Sequence, residues 1–342
     1  MPAPREAVAV LKVTLRALFV LILSLLDPAS PAQTSLNDIH VAPRETAPAA
    51  ADVAGSSKLI GGSLLHVIKT EAKLVLVPVS VTDAAERLVT GLHMDNFQVY
   101  EGKKPQEIRH FSSEDVPVSI GIVLDTSGSM GDKMNRVREA VKQFCEEANP
   151  QDEFFLIEFS DQPHLVTDFS SAPEDLEKEL LFTRPKGRTA LLDAVYLGLH
   201  KMKEAKYGKK ALLIISDGGD NHSRYGEREI KAAAKESDVM IYAIGTFDRF
   251  VPTLEELRGP GLLSELAEPT GGRAYTLENA LALPAVARHI GKELRTQYVL
   301  GYRPEEMPKD GKWHKIQVKL RLPKKLPFLR AHSKTGYYAP AE

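Results

Sequence analysis

Three runs in this chain are too apolar to lie at a surface: "VSIGIVL" (118–124), "ALLIIS" (211–216) and "VMIYAIG" (239–245). A strand that is apolar on both faces must be covered on both, and the usual cover is a layer of helices on each side of a mainly parallel sheet. The segments between these runs can supply that cover. Residues 132–148, 173–182, 190–206, 227–238, 253–268 and 279–295 read as amphipathic helices, and the strands read as 118–124, 153–159, 210–216, 239–246 and 273–277. The pattern predicts an α/β unit over 115–296. Cys145, the single cysteine, falls on the same helical face as Val141 and reads as a small buried hydrophobe. One cysteine excludes an internal disulfide framework and a multi-cysteine zinc site.

The flanks have a different period. In "EAKLVLVPVSVTD" (71–83), Val75, Val77, Val79 and Val81 share one face. Residues 95–111 read as two strands around a turn at Gly102. Beyond 296, "QYVLGYRP" reads as one strand, and "WHKIQVKLRL" alternates Ile316, Val318, Leu320 and Leu322 with Lys315, Gln317, Lys319 and Arg321. "FLRAHSKTGYYAP" reads as a last strand. Each flank alone has too few strands for independent stability. The expectation is therefore one small all-β sandwich built from 71–114 and 297–340, with the α/β unit inserted between.

The N-terminal segment reads as a targeting signal. Arg5, Lys12 and Arg16 precede the apolar "ALFVLILSLL" (17–26), and Ser30 and Ala32 stand at −3 and −1 of a cleavage site. Residues 1–32 are thus expected to be a signal peptide, and 33–70, rich in Ala, Ser, Pro and Gly, a flexible linker. The protein is expected to be exported, periplasmic or secreted, with membrane attachment only if the segment stays uncleaved. The net charge of −2 advertises no nucleic-acid partner. Lys309 to Arg330 holds eight Lys or Arg against one Asp, but their alternating placement reads as solvent-facing charge on an edge strand.

The chemistry gathers where strands end. The run 118–124 stops at Asp125, followed by Ser127 and Ser129 at alternate positions; "ALLIIS" stops at Asp217. In an open parallel sheet, ligands bind at the C-terminal ends of strands. A third loop, "PKGRTALLDAV", enters a helix through Thr189. Two carboxylates and three hydroxyls make an all-oxygen set suited to a hard divalent ion, Mg²⁺ or Mn²⁺; Ca²⁺ is the poorer fit, because two carboxylates are few for its larger oxygen shell. Each residue also has a purely structural reading. Ser129 and Thr189 could be helix N-caps, Asp217 could start a turn and Asp125 could cap a loop. Asp220 reads either as an acceptor that orients the hydroxyls or as a solvated loop residue.

"DTSGSM", "GRTALLDAV" and "LIISDGGD" resemble the metal-ion-dependent adhesion site of von Willebrand factor type A (VWA) domains, in the order D-x-S-x-S, distant Thr, distant Asp. The resemblance spans roughly 115–295 and implies a Rossmann-like sheet. It also implies a metal site of Asp125, Ser127, Ser129, Thr189 and Asp217, in which the two serines and the threonine coordinate directly or through water and Asp125 acts largely through water and hydrogen bonds. It further implies a protein partner whose Asp, Glu or C-terminal carboxylate completes the metal. The flanks resemble a largely acidobacterial family of exported VWFA-related proteins. A metal-dependent hydrolase reads less well: position 127 is Ser where an acid would be required, and "TSGSM" is no nucleophile elbow. The sequence therefore reads as a binding module and not an enzyme, with a metal-independent component of an envelope assembly as the alternative.

Overall fold

The computed structural model describes residues 74–217, 219–247, 254–304, 309–322 and 328–341. The expected signal segment 1–32 and linker 33–70 lie outside the described residues. Along the chain come β1 (Val75–Asp83), β2 (Phe97–Glu101), β3 (Lys104–Gln106) and β4 (Ile108–Ser112). Then follow β5 (Val118–Asp125), α1 (Met134–Glu146), β6 (Glu153–Phe159), β7 (Pro163–Ser170), α2 (Pro173–Phe182), α3 (Leu191–Lys201) and β8 (Lys209–Ser216). The α/β region closes with α4 (Glu227–Glu236), β9 (Val239–Thr246), α5 (Leu254–Ala267), β10 (Ala274–Leu277) and α6 (Leu283–Arg295). Last come β11 (Tyr298–Tyr302), β12 (Trp313–Leu320), β13 (Leu329–Ser333) and β14 (Gly336–Tyr338).

The central sheet has the order β10-β9-β8-β5-β6-β7 and is parallel except for β7. β5 lies in its middle and is buried over its whole length. Alternate residues feed opposite layers. Ile120, Ile122 and Leu124 pack with Met134, Val137, Val141 and Phe144 of α1 and Leu283, Ala287, Ile290 and Leu294 of α6. That three-and-four spacing is the apolar stripe of a surface helix. On the other face Gly198 of α3 lies against Val123 and Leu212. Cys145 is buried in the α1 layer, and burial pushes its thiol up to about 12. The mixed α/β sheet and its helix cover are those the sequence predicts.

The sequence reading does not include β7, an antiparallel edge strand hairpinned onto β6. Its residues are half-buried without a clean alternation, so no period-2 signal marks it.

The flanks form two four-stranded antiparallel sheets, β13-β1-β11-β4 and β14-β12-β2-β3. Their facing residues share one core of Val77, Val79, Phe97, Val99, Tyr298, Leu300 and Ile316, among others. β1 pairs with both β11 and β13, so the N- and C-terminal flanks are interleaved within one sheet. Three details differ from expectation. Residues 95–111, read as two strands, form three: β2 and β3 pair in one sheet and β4 joins the other. The last segment is two strands, β13 and β14, which join different sheets. β12 lies between β14 and β2, so its lysines do not guard an edge; Lys315 and Lys319 simply face solvent while Ile316 faces the core. Among the described residues no helix is long and apolar enough to cross a membrane.

Gly121, mid-strand in β5, allows the aromatic layer to close over the sheet. A Cβ there would stand 2.2 Å from the Phe155 ring and 2.5 Å from a Leu212 methyl. Gly121→Ala is expected to destabilise the protein by about 2 kcal/mol, the ordinary cost of overpacking a close-packed core. Denaturant unfolding measures it, and an unchanged midpoint would contradict the packing described.

Candidate metal centre

Three loops meet at the C-terminal edge of β5 and β8. Backbone hydrogen bonds tie them together. The loop after β5 is held by Thr126 N–H to the Phe159 carbonyl (2.7 Å) and by Gly128 N–H to the Gly187 carbonyl (3.1 Å). The 183–190 loop answers with Lys186 N–H to the Thr126 carbonyl (2.9 Å) and Ala190 N–H to the Ser160 carbonyl (2.9 Å). The loop after β8 joins through Asn221 N–H to the Thr189 carbonyl (3.0 Å), while Asn221 Oδ1 accepts from Thr189 N–H (3.0 Å). Gly187 is needed at its position: its φ is +82°, and a Cβ would sit 2.6 Å from Asp161 Oδ2.

Within this frame the side chains form a connected set. Asp125 is wholly buried. Its Oδ1 accepts from Ser127 N–H (2.9 Å) and its Oδ2 from the Ser216 hydroxyl (2.6 Å). Ser127 Oγ and Ser129 Oγ lie 3.1 Å apart. The Ser129 hydroxyl donates to Asp217 Oδ1 at 2.9 Å. Thr189 is buried and joins this frame through its backbone bonds to Asn221. Burial pushes the Asp125 carboxyl up to about 6; the Ser216 and Ser127 hydrogen bonds pull it back, and nearby Asp217 pushes it further up.

The capping alternatives can be read directly. α1 has Lys133 at its N-cap and α3 has Ala190, with no side-chain cap bond at either, so neither Ser129 nor Thr189 is an N-cap. Asp125 does brace its own loop. Asp220 Oδ1 accepts from Leu192 N–H (3.2 Å) in the first turn of α3 and from the Ser223 hydroxyl in its own loop.

Does this oxygen set fit a divalent ion? Among the described residues no three His, Cys, Asp or Glu side chains converge as a ligand group, so hydroxyls must carry much of the coordination. Adjacent ligands of an octahedral ion held at ~2.1 Å lie about 3 Å apart. The Ser127–Ser129 and Ser129–Asp217 oxygen separations, 3.1 and 2.9 Å, meet that spacing. The donor set fits Mg²⁺ or Mn²⁺.

Residues 120–219 match the family model of the von Willebrand factor type A domain. This stretch is a von Willebrand factor type A domain. Inter alpha-trypsin inhibitor heavy chain 4 of Mus musculus is 25% identical over 171 residues, 44% of this chain and 18% of that protein. An uncharacterized protein of Borreliella burgdorferi is 22% identical over 198 residues, 51% of this chain and 58% of that one. The chain thus spans less than two thirds of the length of either relative. Among solved structures, a von Willebrand factor type A protein from Catenulispora acidiphila has a TM-score of 0.47 at 14% identity, over 79% of this chain and 64% of that chain. The vWF domain of the type V pili tip protein Mfa5 from Porphyromonas gingivalis has a TM-score of 0.42 at 14% identity, over 53% and 97%.

The VWA fold brings in residues that the sequence reading did not name. Ser216 anchors Asp125 and Asn221 anchors Thr189; both lie within four residues of Asp217. Lys133 donates from Nζ to Asp217 Oδ2 and to the Ser129 carbonyl (3.1 Å). Its place four residues after Ser129, at the start of the helix read over 132–148, is the signal the sequence offers.

The buried Asp125 charge gives a prediction for metal-free buffer. A carboxyl whose folded value is raised favours the fold below its unfolded value near 3.8, and that contribution is lost as pH rises through about 6. Asp125→Asn retains an acceptor for Ser127 N–H and has no charge to desolvate. The variant is expected to be more stable than wild type at pH 7 by about 1–3 kcal/mol, with the gap closing below pH ~4. Unfolding midpoints across pH test it; a variant less stable at pH 7 would contradict it.

Proposed function

We propose that this edge of the VWA domain is a divalent-cation-dependent protein-binding site. Ser127, Ser129 and Asp217 would hold Mg²⁺ or Mn²⁺, and Thr189 would complete the protein's share. Asp125, with both oxygens engaged by Ser127 N–H and Ser216, orients the serine loop. The bound ion supplies an electrophile able to draw a carboxylate from outside. The partner is a protein that presents an Asp, Glu or C-terminal carboxylate, and the protein works outside the cytoplasm as a recognition module without turnover.

The observation that carries the reading is the unbroken chain of oxygen contacts from Asp217 through Ser129 to Ser127, at the spacing an octahedral ion requires. Ser127 stands at the N-cap of the 3₁₀ turn Gly128–Met130 without a side-chain cap bond, and neither Ser129 nor Thr189 is at the N-cap of the α-helix that follows it. Backbone ties among three loops hold the set without help from a partner.

A ligand that binds only the folded state stabilises it by about 2.7 kcal/mol at a hundred times its dissociation constant. Mg²⁺ or Mn²⁺ is therefore expected to raise the thermal midpoint of wild type in a concentration-dependent way. Ser129→Ala, which removes one hydroxyl at a solvent-facing position, is expected to abolish most of the rise. No rise in wild type at millimolar metal would overturn the reading in favour of a metal-independent scaffold.

A further inference from the structure

We propose that Lys133 is a tethered cation that makes the divalent ion and the partner's carboxylate bind as a pair. The inference rests on the metal-site reading above and concerns how that site is regulated.

Lys133 is held by its backbone on both sides. Its N–H donates to the Met130 carbonyl (3.0 Å), and its carbonyl accepts from Arg136 and Val137 N–H (2.8 and 3.0 Å). Its ammonium then reaches Asp217 Oδ2 and the Ser129 carbonyl. The Asp217 side chain is wholly buried, and that of Lys133 is 24% exposed. A buried carboxylate paired with an ammonium is strongly attached to it, since breaking such a pair leaves a charge without a partner. The same Asp217 offers its other oxygen to Ser129. Lys133 and a metal ion therefore draw on one carboxylate.

Charge decides the consequence. Asp125 and Asp217 balance one divalent ion. Lys133 adds a positive charge in direct contact with one of them. Metal alone would leave the group with an excess positive charge beside the buried Asp125 and Asp217 carboxylates, where charges are screened less than in bulk water. An anionic oxygen from outside restores neutrality. Metal alone is thus held weakly, a carboxylate alone meets a cluster that is still net negative, and the two together are favoured. By linkage, each raises the affinity of the other by the same factor.

Mg²⁺ titration calorimetry on wild type, Lys133→Gln and Lys133→Arg, in acetate and in chloride buffer of equal ionic strength, tests this. Gln keeps a donor for Asp217 without the charge, which protects the fold if the aliphatic variant Lys133→Met does not survive; thermal unfolding verifies each variant. Replacing chloride with acetate is expected to tighten Mg²⁺ binding to wild type by about fivefold or more, the lower end of ordinary coupling. Lys133→Gln is expected to bind Mg²⁺ in chloride at least about fivefold more tightly than wild type, with the acetate effect diminished. Lys133→Arg should behave as wild type. Equal affinities and equal acetate effects across wild type and Lys133→Gln would overturn the role of Lys133 and leave the metal site standing. Weaker Mg²⁺ binding by Lys133→Gln would overturn it as well. Absence of Mg²⁺ binding in every protein and both buffers would remove the metal site together with the inference.

Discussion

β5 is buried along all of Val118–Asp125, and the rest of the structure answers to that constraint. A strand in the centre of a parallel sheet needs a partner on each side and a helix layer on each face. β6 and β8 supply the partners, α1 and α6 one layer, and α3 the other. The price of this arrangement falls on its last residue. Asp125 leaves the sheet while still wholly desolvated, and two short hydrogen bonds only partly offset that burial. A carboxyl kept in such a place orders the loop that follows, because the groups able to solvate it are Ser127 N–H and Ser216 of the neighbouring strand.

The same logic fixes the other loops. Thr126, Gly128 and Lys186 exchange backbone hydrogen bonds between two segments about sixty residues apart, so the serines and Thr189 belong to one frame. At the opposite side of the sheet a second polar group is buried. Glu293 of α6 accepts from the hydroxyls of Tyr242 (3.1 Å) and Tyr275 (3.2 Å), and Gln297 donates to Tyr242 (3.1 Å) and to Ser80 of β1 (3.4 Å). Arg273 reaches Glu293 and also Glu86, beyond β1. This seam links the last helix of the α/β region to the sandwich through specific hydrogen bonds, where an apolar contact would permit sliding. Thr335 N–H to the Pro269 carbonyl (3.1 Å) adds a backbone tie.

Much of the architecture was legible. The buried strands announce themselves by unbroken apolar runs, and the boundaries of β6, β9 and α2 coincide with those read from periodicity. β7 and the division of 328–340 between two sheets were not legible. β7 is an edge strand with no face wholly buried, so the pattern that marks strands is absent. The β13–β14 break depends on which sheet each half meets, a long-range pairing that local composition does not encode.

The sequence alone determined the order of the buried strands and their covering helices, the apolar faces and the positions of Asp125, Ser127, Ser129, Thr189 and Asp217, because periodicity and the spacing of polar residues along a chain are local properties. Tertiary structure alone decided that the Ser129 hydroxyl meets Asp217 while touching Ser127, that Asp220 accepts from the first turn of α3 and from Ser223, and that the ammonium of Lys133 lies against Asp217. Residues 133 and 217 lie 84 positions apart in the chain and are brought together by the pairing of β5 with β8. Which charges share a desolvated space follows from how strands stack side by side, and that is settled by packing the whole core.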